Sequence, residues 1–405
     1  MHRNGKYLDG ENSQVAIVFG KDYINTLGVI RSLGRRNIPV ICLDFKKRIF
    51  HFNSKYCSVV SSPDPAKEEQ KFIDFMVQLG DSLNTKGIII PTSEKSISTI
   101  LRFKSDLEKY YEIPPNEFDA YQQLTSKDRF YRLLDDIGFP HPKTYFPLDI
   151  YDVIEISSLN MYPLIIKPID SVRFAEQFHV KCFNCNSSKE LLEAYNRAIV
   201  SGHDVVIQEV IPGGDNNLYG FCSYCSRDFA LKGAFIYRKI RGYPKDFGTC
   251  SLIESVWEPD IYKLGKELLE RIHYSGISEL EVKRDPRDNT FKIIELNART
   301  WWQNRLAARC GVDLPYMAYL DAINDNIEEV ISKKEGVKWI YMFDDLRSCC
   351  QRLLRGQLSL TEYIASLKGE KEYAIYAKDD MVPFYDFLLS LLCAAPRYVQ
   401  ERINN

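Results

Sequence analysis

The segments Ile277-Ser-Glu-Leu-Glu-Val-Lys283 and Phe291-Lys-Ile-Ile-Glu-Leu-Asn297 flank the run Arg284-Asp-Pro-Arg-Asp-Asn-Thr290. Both flanks are rich in strand-forming residues and the linker is rich in turn formers, so the pattern predicts a β-hairpin. Side chains alternate faces along a strand, so Glu279, Glu281 and Lys283 share one face, as do Ile293, Glu295 and Asn297. With Lys283 opposite Phe291, the carboxylates of Glu279, Glu281 and Glu295 and the amide of Asn297 gather on one side. Diagonal neighbours there lie roughly 7–8 Å apart. Adjacent carboxylates repel, and an unpaired buried charge is costly. A hard divalent cation resolves the conflict, because carboxylate and amide oxygens are its preferred ligands. A solvated sheet face, with Glu279 and Lys283 ion-paired, accounts for the same pattern. The apolar Ile293-Ile294 before Glu295 suggests a strand near the core and favours the metal.

Towards the N-terminus, strand and helix signals alternate over roughly the first 115 residues. Val15–Phe19, Ile38–Leu43 and Gly87–Ile90 read as strands, and Ile24–Leu33 and Phe72–Leu79 as helices. This alternation predicts a parallel sheet covered on both faces. Gly20-Lys-Asp-Tyr-Ile-Asn-Thr-Leu-Gly28 lacks the GxGxxG pattern, so Asp44 after the second strand does not make a nicotinamide site. Gly20–Asn25 and Pro91–Glu94 fall at the carboxyl edge of this sheet, where part of the substrate site is expected. Further along, Leu124–Gly138, Ser188–Val200 and Ile261–Ile272 read as helices. Tyr162–Lys167, Val205–Val210 and much of Asp228–Arg241 read as strands.

The chain has 405 residues, 45% hydrophobic and 27% charged, enough for two or three units with a core that needs no staple. Its 53 basic and 55 acidic residues leave a formal charge of −2, without the basic excess of a general nucleic-acid binder. The opening MHRNGKYLDG has no apolar signal core, and no apolar run is long enough to span a bilayer. Phe384–Ala395 is apolar but short, and docking onto the body is expected. The eleven cysteines are scattered and odd in number, which fits reduced thiols in a cytoplasmic protein. Cys182/Cys185 and Cys222/Cys225 are CxxC pairs too widely spaced for a zinc ribbon, and inert thiols are expected.

Ile294-Glu-Leu-Asn-Ala-Arg299 resembles the I-E-x-N-x-R signature of ATP-grasp ligases, the group that includes biotin carboxylase and D-alanine–D-alanine ligase. The resemblance implies that Glu295 bridges two magnesium ions, for which manganese can substitute, that Asn297 binds one, and that Arg299 contacts phosphate or the reacting carboxylate. In the preceding strand it implies Glu281 as the further metal ligand, in preference to Glu279. Leu124-Thr-Ser-Lys-Asp-Arg129 and Ile166-Lys-Pro168 resemble the segments whose lysines reach ATP, implying Lys127 and Lys167. Gln208-Glu-Val-Ile-Pro-Gly213 resembles the adenine hinge, implying Gln208 and the backbone at Glu209, Val210 and Ile211, with Asp215 on the ribose. Lys239 and Arg241 share a strand face and are expected to point at phosphates or substrate. The segment after Lys167-Pro168 has no glycine before Lys181, so a backbone cradle over the phosphates is not expected. Arg173 or Lys181 supplies side-chain charge there instead. Trp301 and Trp302 are candidates for a pocket wall or for core packing.

Tyr237-Arg-Lys-Ile-Arg-Gly-Tyr-Pro-Lys-Asp-Phe-Gly248, Glu281-Val-Lys-Arg-Asp-Pro-Arg287 and Thr300-Trp-Trp302 make the chain most similar to the D-aspartate ligase-like branch, over roughly residues 15–325. The fold implied is α/β and α+β: an ATP-grasp unit with an N-terminal parallel-sheet domain and a C-terminal helical extension. The expected units are 1–120, 121–207 (first lobe), 208–328 (second lobe with the metal site) and 329–405. The activity implied joins a small-molecule carboxylate, such as an amino acid like aspartate, to an amine through an acyl phosphate, releasing ADP and phosphate. An ATP-binding regulator without catalysis and a carboxylate phosphotransferase are the competing functions. Self-association is left open.

Overall fold

The computed structural model describes residues 14–20, 23–45, 53–245 and 248–403, with side chains described through Leu392. The opening MHRNGKYLDG, Lys21-Asp22 of the first expected ligand edge and Asp246-Phe247 of the longest family-like motif lie outside the described residues.

Three sheets organise the described residues. The first is parallel, built from β1 (Ala16–Phe19), β2 (Val40–Asp44), β3 (Ser58–Ser61), β4 (Gly87–Ile89) and β5 (Tyr111–Glu112) in the order β3-β2-β1-β4-β5. β1 is wholly buried, as continuous apolar strands in a sheet covered on both faces require. The second sheet is antiparallel, with β6 (Thr144–Tyr145), β7 (Leu164–Pro168), β8 (Phe183–Cys185) and β9 (Val205–Glu209) in the order β6-β9-β7-β8. The third contains β10 (Leu218–Cys225), β11 (Leu231–Tyr243), β12 (Thr249–Ser255), β13 (Gly276–Arg284), β14 (Phe291–Asn297), β15 (Val330–Ile331), β16 (Lys338–Ile340) and β17 (Lys371–Tyr373). Its order is β14-β13-β10-β11-β12-β16-β17, with β15 beside β11. Residues 329–405 therefore add three short strands to this sheet as well as the helices Met342–Leu354, Leu360–Ser366 and Val382–Ile403.

The cores show which parts pack as one body. The small sheet and its helices enclose a separate cluster that includes Val153, Leu164, Phe174, Leu191 and Ile207. The first and third sheets instead share two clusters, one joining Ile89 and Tyr121 with Phe221 and Leu280, the other Val18 and Leu27 with Phe235 and Leu306. A polar junction pins them further. Asn25 Nδ2 donates to the carbonyls of Thr92 and Thr300 at 3.0 Å each, and Asn304 Nδ2 donates to Asn25 Oδ1 at 2.9 Å. Gly28 permits this approach, since a Cβ there would stand 2.3 Å from Asn304 Oδ1.

One local expectation changes and two segments gain a defined structure. The helix expected over Leu124–Gly138 is two: Phe118–Thr125, then Lys127–Ile137, closed by Gly138 in the left-handed region (φ 73°). The glycine-free segment after Lys167-Pro168 is a helix, Ser171–Phe178, whose N-cap Asp170 accepts from the Val172 and Arg173 amides. Phe384–Ala395 lies within the helix Val382–Ile403, which packs Phe387 against Tyr341 and Phe343. Among the described residues no helix is long and apolar enough to cross a membrane. Cys182/Cys185 lie in the small-sheet lobe and Cys222/Cys225 on β10 of the third sheet.

Candidate active site

A cavity of about 700 Å³ lies between the small-sheet lobe and the open face of β13 and β14. Lys127, Lys167, Lys181, Gln208, Glu209, Val210, Ile211, Asp215, Lys239, Glu281, Glu295, Asn297 and Arg299 all line it, as do Trp301 and Trp302. Residues spread over more than 170 positions of sequence thus converge on one space.

The hairpin forms, in a register two residues from the expected one at its open end. Glu281 stands opposite Glu295 and Glu279 opposite Asn297, while Lys283 faces Lys292 rather than Phe291. One residue of the difference is set at the turn, where Lys283 already faces Lys292, and a bulge at Ile294 adds the second: Val282 pairs with Ile293, and the next pair is already Glu281 with Glu295. The freed Ile294 carbonyl accepts the Tyr131 hydroxyl, and the Ile293 amide donates to the Pro140 carbonyl at 2.8 Å. The bulge therefore sets the two acids face to face, closer than the diagonal arrangement.

Asn297 Nδ2 donates to Glu279 Oε2 at 3.1 Å and Glu295 Oε1 at 3.3 Å, and Arg299 donates to Asn297 Oδ1 at 3.1 Å. Arg299 also holds Glu94 at 2.9 Å. Burial, with help from Glu295, pushes Glu279 up to about 7, and burial with Glu295 and Glu279 pushes Glu281 up to about 8. The sign follows directly. The folded chain holds these protons more tightly than an unfolded chain titrating near 4.5, so their ionisation costs the metal-free fold stability as pH rises through that interval. The unfolding midpoint without divalent cations is expected to fall as pH rises from near 4.5 to about 8, and Glu281→Gln to flatten the slope. Equal slopes in the two proteins would refute the coupling.

The lysines arrive from both lobes. Lys167 Nζ donates to Gln208 Oε1 at 2.7 Å, and Lys127 Nζ to Ser171 Oγ at 2.7 Å. Burial draws the Lys127 pKa down, against the pull of Glu295. Lys181 crosses the cleft to Thr249 Oγ1 at 3.4 Å. At the hinge, the Val210 amide is taken by the Pro163 carbonyl at 3.1 Å, and Lys283 donates to the Ile211 carbonyl at 2.6 Å. Lys283 was legible from its alternation with Glu279 and Glu281, yet its contact with the hinge depends on the fold.

Four expectations are corrected. Arg241 does not line the cavity: a bulge between Lys239 and Arg241 breaks their shared face, and Arg241 pairs with buried Asp345 at 2.9 Å. Asp215 lines the cavity, but its oxygens already accept from Lys239 at 3.0 Å and from the Gly242 amide and Arg352. Arg173 turns away to the Gly202 carbonyl at 3.2 Å. Asn25, Thr92 and Ser93 at the carboxyl edge of the parallel sheet are buried in the domain junction and do not line the cavity; among the described residues of that edge, Glu94 reaches it through Arg299.

No protein-family model matches the chain. A D-aspartate ligase of Enterococcus faecium (strain Aus0004) is 25% identical over 242 residues, 56% of this chain and 58% of the relative. The match thus spans less than two thirds of that protein's length. Among solved structures, an L-amino acid ligase from Bacillus licheniformis superposes with a TM-score of 0.61 at 15% identity, covering 78% of this chain and 75% of its own. A biotin carboxylase–ATP complex from Campylobacter jejuni superposes with a TM-score of 0.61 at 14% identity, covering 77% and 71%. The likeness is one of overall fold.

Proposed function

We propose that this chain, an ATP-grasp protein by its fold, is an ATP- and magnesium-dependent ligase that joins a carboxylate to an amine through an acyl phosphate. One observation carries the proposal: Glu281 faces Glu295, with Asn297 beside them, on the wall of a cavity whose other walls bring in Lys127, Lys167, Lys181 and Lys239.

The donor set suits a hard cation. Glu281, Glu295 and the Asn297 amide offer oxygen ligands, and among the described residues no ion pair reaches either carboxylate. Among those residues no group of three or more His, Cys, Asp or Glu makes a metal cage by itself. Magnesium needs few protein ligands, because it keeps water and phosphate oxygens in its octahedron. Bound there, one or two such ions would neutralise charge on the triphosphate.

The chain's own residues then have distinct tasks. The hinge from Gln208 to Ile211 seats the base. Lys127 and Lys167 meet the phosphates, and Lys181, reaching over from the small lobe, takes the place of a glycine-rich cover. Phosphoryl transfer needs positioning and charge neutralisation more than covalent help. Arg299, tethered to Glu94, Asn297 and the Thr300 carbonyl, stands where the carboxylate and then the oxyanion develop. Trp301 and Trp302 shield the far end from water.

The direct test is ADP release with and without candidate amines, together with a mass-spectrometric screen of amino-acid pairs for ATP-dependent condensation. ADP and amide together support the ligase. ADP with a stable phosphorylated product and no need for amine supports a phosphotransferase, and no ADP under any condition supports a non-catalytic binder. Lys181→Ala is expected to raise the KM for ATP severalfold; an unaltered ATP dependence would remove Lys181 from the site.

A further inference from the structure

The cavity wall holds two glutamines in opposite states. Gln208 is satisfied at both ends: its Oε1 accepts from Lys167 at 2.7 Å and its Nε2 donates to Thr144 Oγ1 at 2.7 Å. Gln303 also lies inside the protein, 4% exposed, yet among the described residues neither its Nε2 nor its Oε1 has a hydrogen-bond partner. Apolar packing does not seal it off. The Trp301 indole N–H, two residues earlier, is unpartnered and walled in, whereas the Gln303 amide is not closed over and lines the cavity. A buried amide is normally paired, and leaving one unpaired is costly.

The backbone that carries Gln303 cannot swing away to relieve this. The Asn304 amide closes the turn onto the Trp301 carbonyl at 3.2 Å, and the Gln303 carbonyl accepts from Leu306 at 2.8 Å. Asn304 Nδ2 donates to the same Trp301 carbonyl at 2.6 Å and to Asn25 Oδ1 at 2.9 Å. The turn is thus pinned to the domain junction, and the one unspent polar group faces the cavity. It sits at the end remote from the base. Lys283 touches the hinge carbonyl of Ile211, Glu281 and Glu279 follow it along β13, and β14 runs the same way through Asn297 to Arg299, Trp301, Trp302 and Gln303.

The chemistry that satisfies Gln303 is narrow. Its amide presents a donor and an acceptor side by side. A carboxylate offers acceptors only and an ammonium donors only, so either one leaves half of the amide unpaired. A carboxamide matches both halves with two parallel hydrogen bonds. Its neighbours Trp301 and Trp302 carry no charge, and Arg299 is already held by Glu94, Asn297 and the Thr300 carbonyl. We infer that Gln303 holds the non-reacting end of the carboxylate substrate, and that this end is a carboxamide rather than an apolar chain or a second carboxylate. The inference deepens the ligase reading and rests on it. Gln303 takes no part in bond making; it selects the acid whose reacting carboxylate Arg299 meets.

The test uses the full chain, the acid selected by the condensation screen, and hydroxylamine as the nucleophile. Hydroxamate formation is challenged with two matched sets of competing acids: malonamate, isovalerate and malonate, then succinamate, isocaproate and succinate. Within each set the remote group changes from carboxamide to its methyl-branched isostere to carboxylate. At one of the two lengths the carboxamide is expected to compete at least about tenfold more strongly than either other acid, because a site built to hydrogen-bond rejects analogues that lack the group. Gln303→Met, similar in length and without hydrogen-bonding atoms of that kind, should bring the carboxamide down to its isostere while the KM for ATP and the magnesium half-saturation stay in place. Equal competition within both sets, or a dicarboxylate that outcompetes the carboxamide, overturns the inference in wild type without recourse to any variant. So does a carboxamide advantage that persists in folded Gln303→Met. No hydroxamate with any acid of the screen sinks the ligase proposal and this inference with it; a missing carboxamide preference alone leaves the ligase standing.

Discussion

Glu295→Gln is expected to lower ATP-dependent amide formation by about a thousandfold or more while the fold survives. Glu295 stands opposite Glu281 on the paired strand, and the Asn297 amide bonds to it at 3.3 Å, so it adjoins both other members of the oxygen cluster. An amide there keeps one oxygen but removes the charge that holds a divalent ion against a triphosphate. Glu281 is pushed up chiefly by burial and next by Glu295. Removing that neighbour relieves repulsion, so the metal-free variant should unfold at or above the wild-type midpoint. Circular dichroism and thermal melts check the fold, and ADP release checks the chemistry. Full activity in this variant would contradict the metal assignment, and loss of activity with loss of structure would remove the variant as evidence for it.

Arg241→Ala is expected to cost about 3–5 kcal/mol of stability, the usual penalty for stranding one member of a buried ion pair. Its side chain is 3% exposed and that of Asp345 is fully buried. The guanidinium also donates to Ser366 Oγ at 2.7 Å and lies 4.9 Å from the Tyr363 ring centroid. These contacts tie β11 to the helices Met342–Leu354 and Leu360–Ser366, so the damage should appear as a lower denaturant midpoint. The KM for ATP of the protein that remains folded should not shift. Arg241→Met combined with Asp345→Leu should recover much of the loss, because a matched apolar pair leaves no orphan charge. A variant of normal stability with a large fall in kcat would instead return Arg241 to the catalytic machinery.

Both predictions rest on two bulges of a kind that periodicity does not reveal. Strand alternation correctly put Glu279, Glu281, Glu295 and Asn297 on one face. It could not place the extra residue at Ile294, because bulges follow from partners elsewhere in the chain: the Tyr131 hydroxyl for the Ile294 carbonyl and the Pro140 carbonyl for the Ile293 amide. The same limit applied to Arg241. Its shared face with Lys239 held in a regular strand and failed at a bulge, where Asp345, more than a hundred residues away, decided the direction. The helix Ser171–Phe178 was missed for a different reason. Two phenylalanines and a valine among polar residues over eight positions are too short a pattern, and its support is the packing of Phe174 into the small-lobe core.

The division has a physical basis. Residue types and their period by themselves determined the parallel sheet, the hairpin and the acid–amide cluster, because each depends on neighbours within a few positions; the order of the lysines came from the family resemblance. Tertiary structure alone decided which carboxylate faces which, which cations are already spent on buried partners, and where the carboxyl edge of the first sheet is closed by Asn25, Thr92 and Thr300. Those outcomes depend on pairing energies between segments far apart in the chain, which no local pattern encodes.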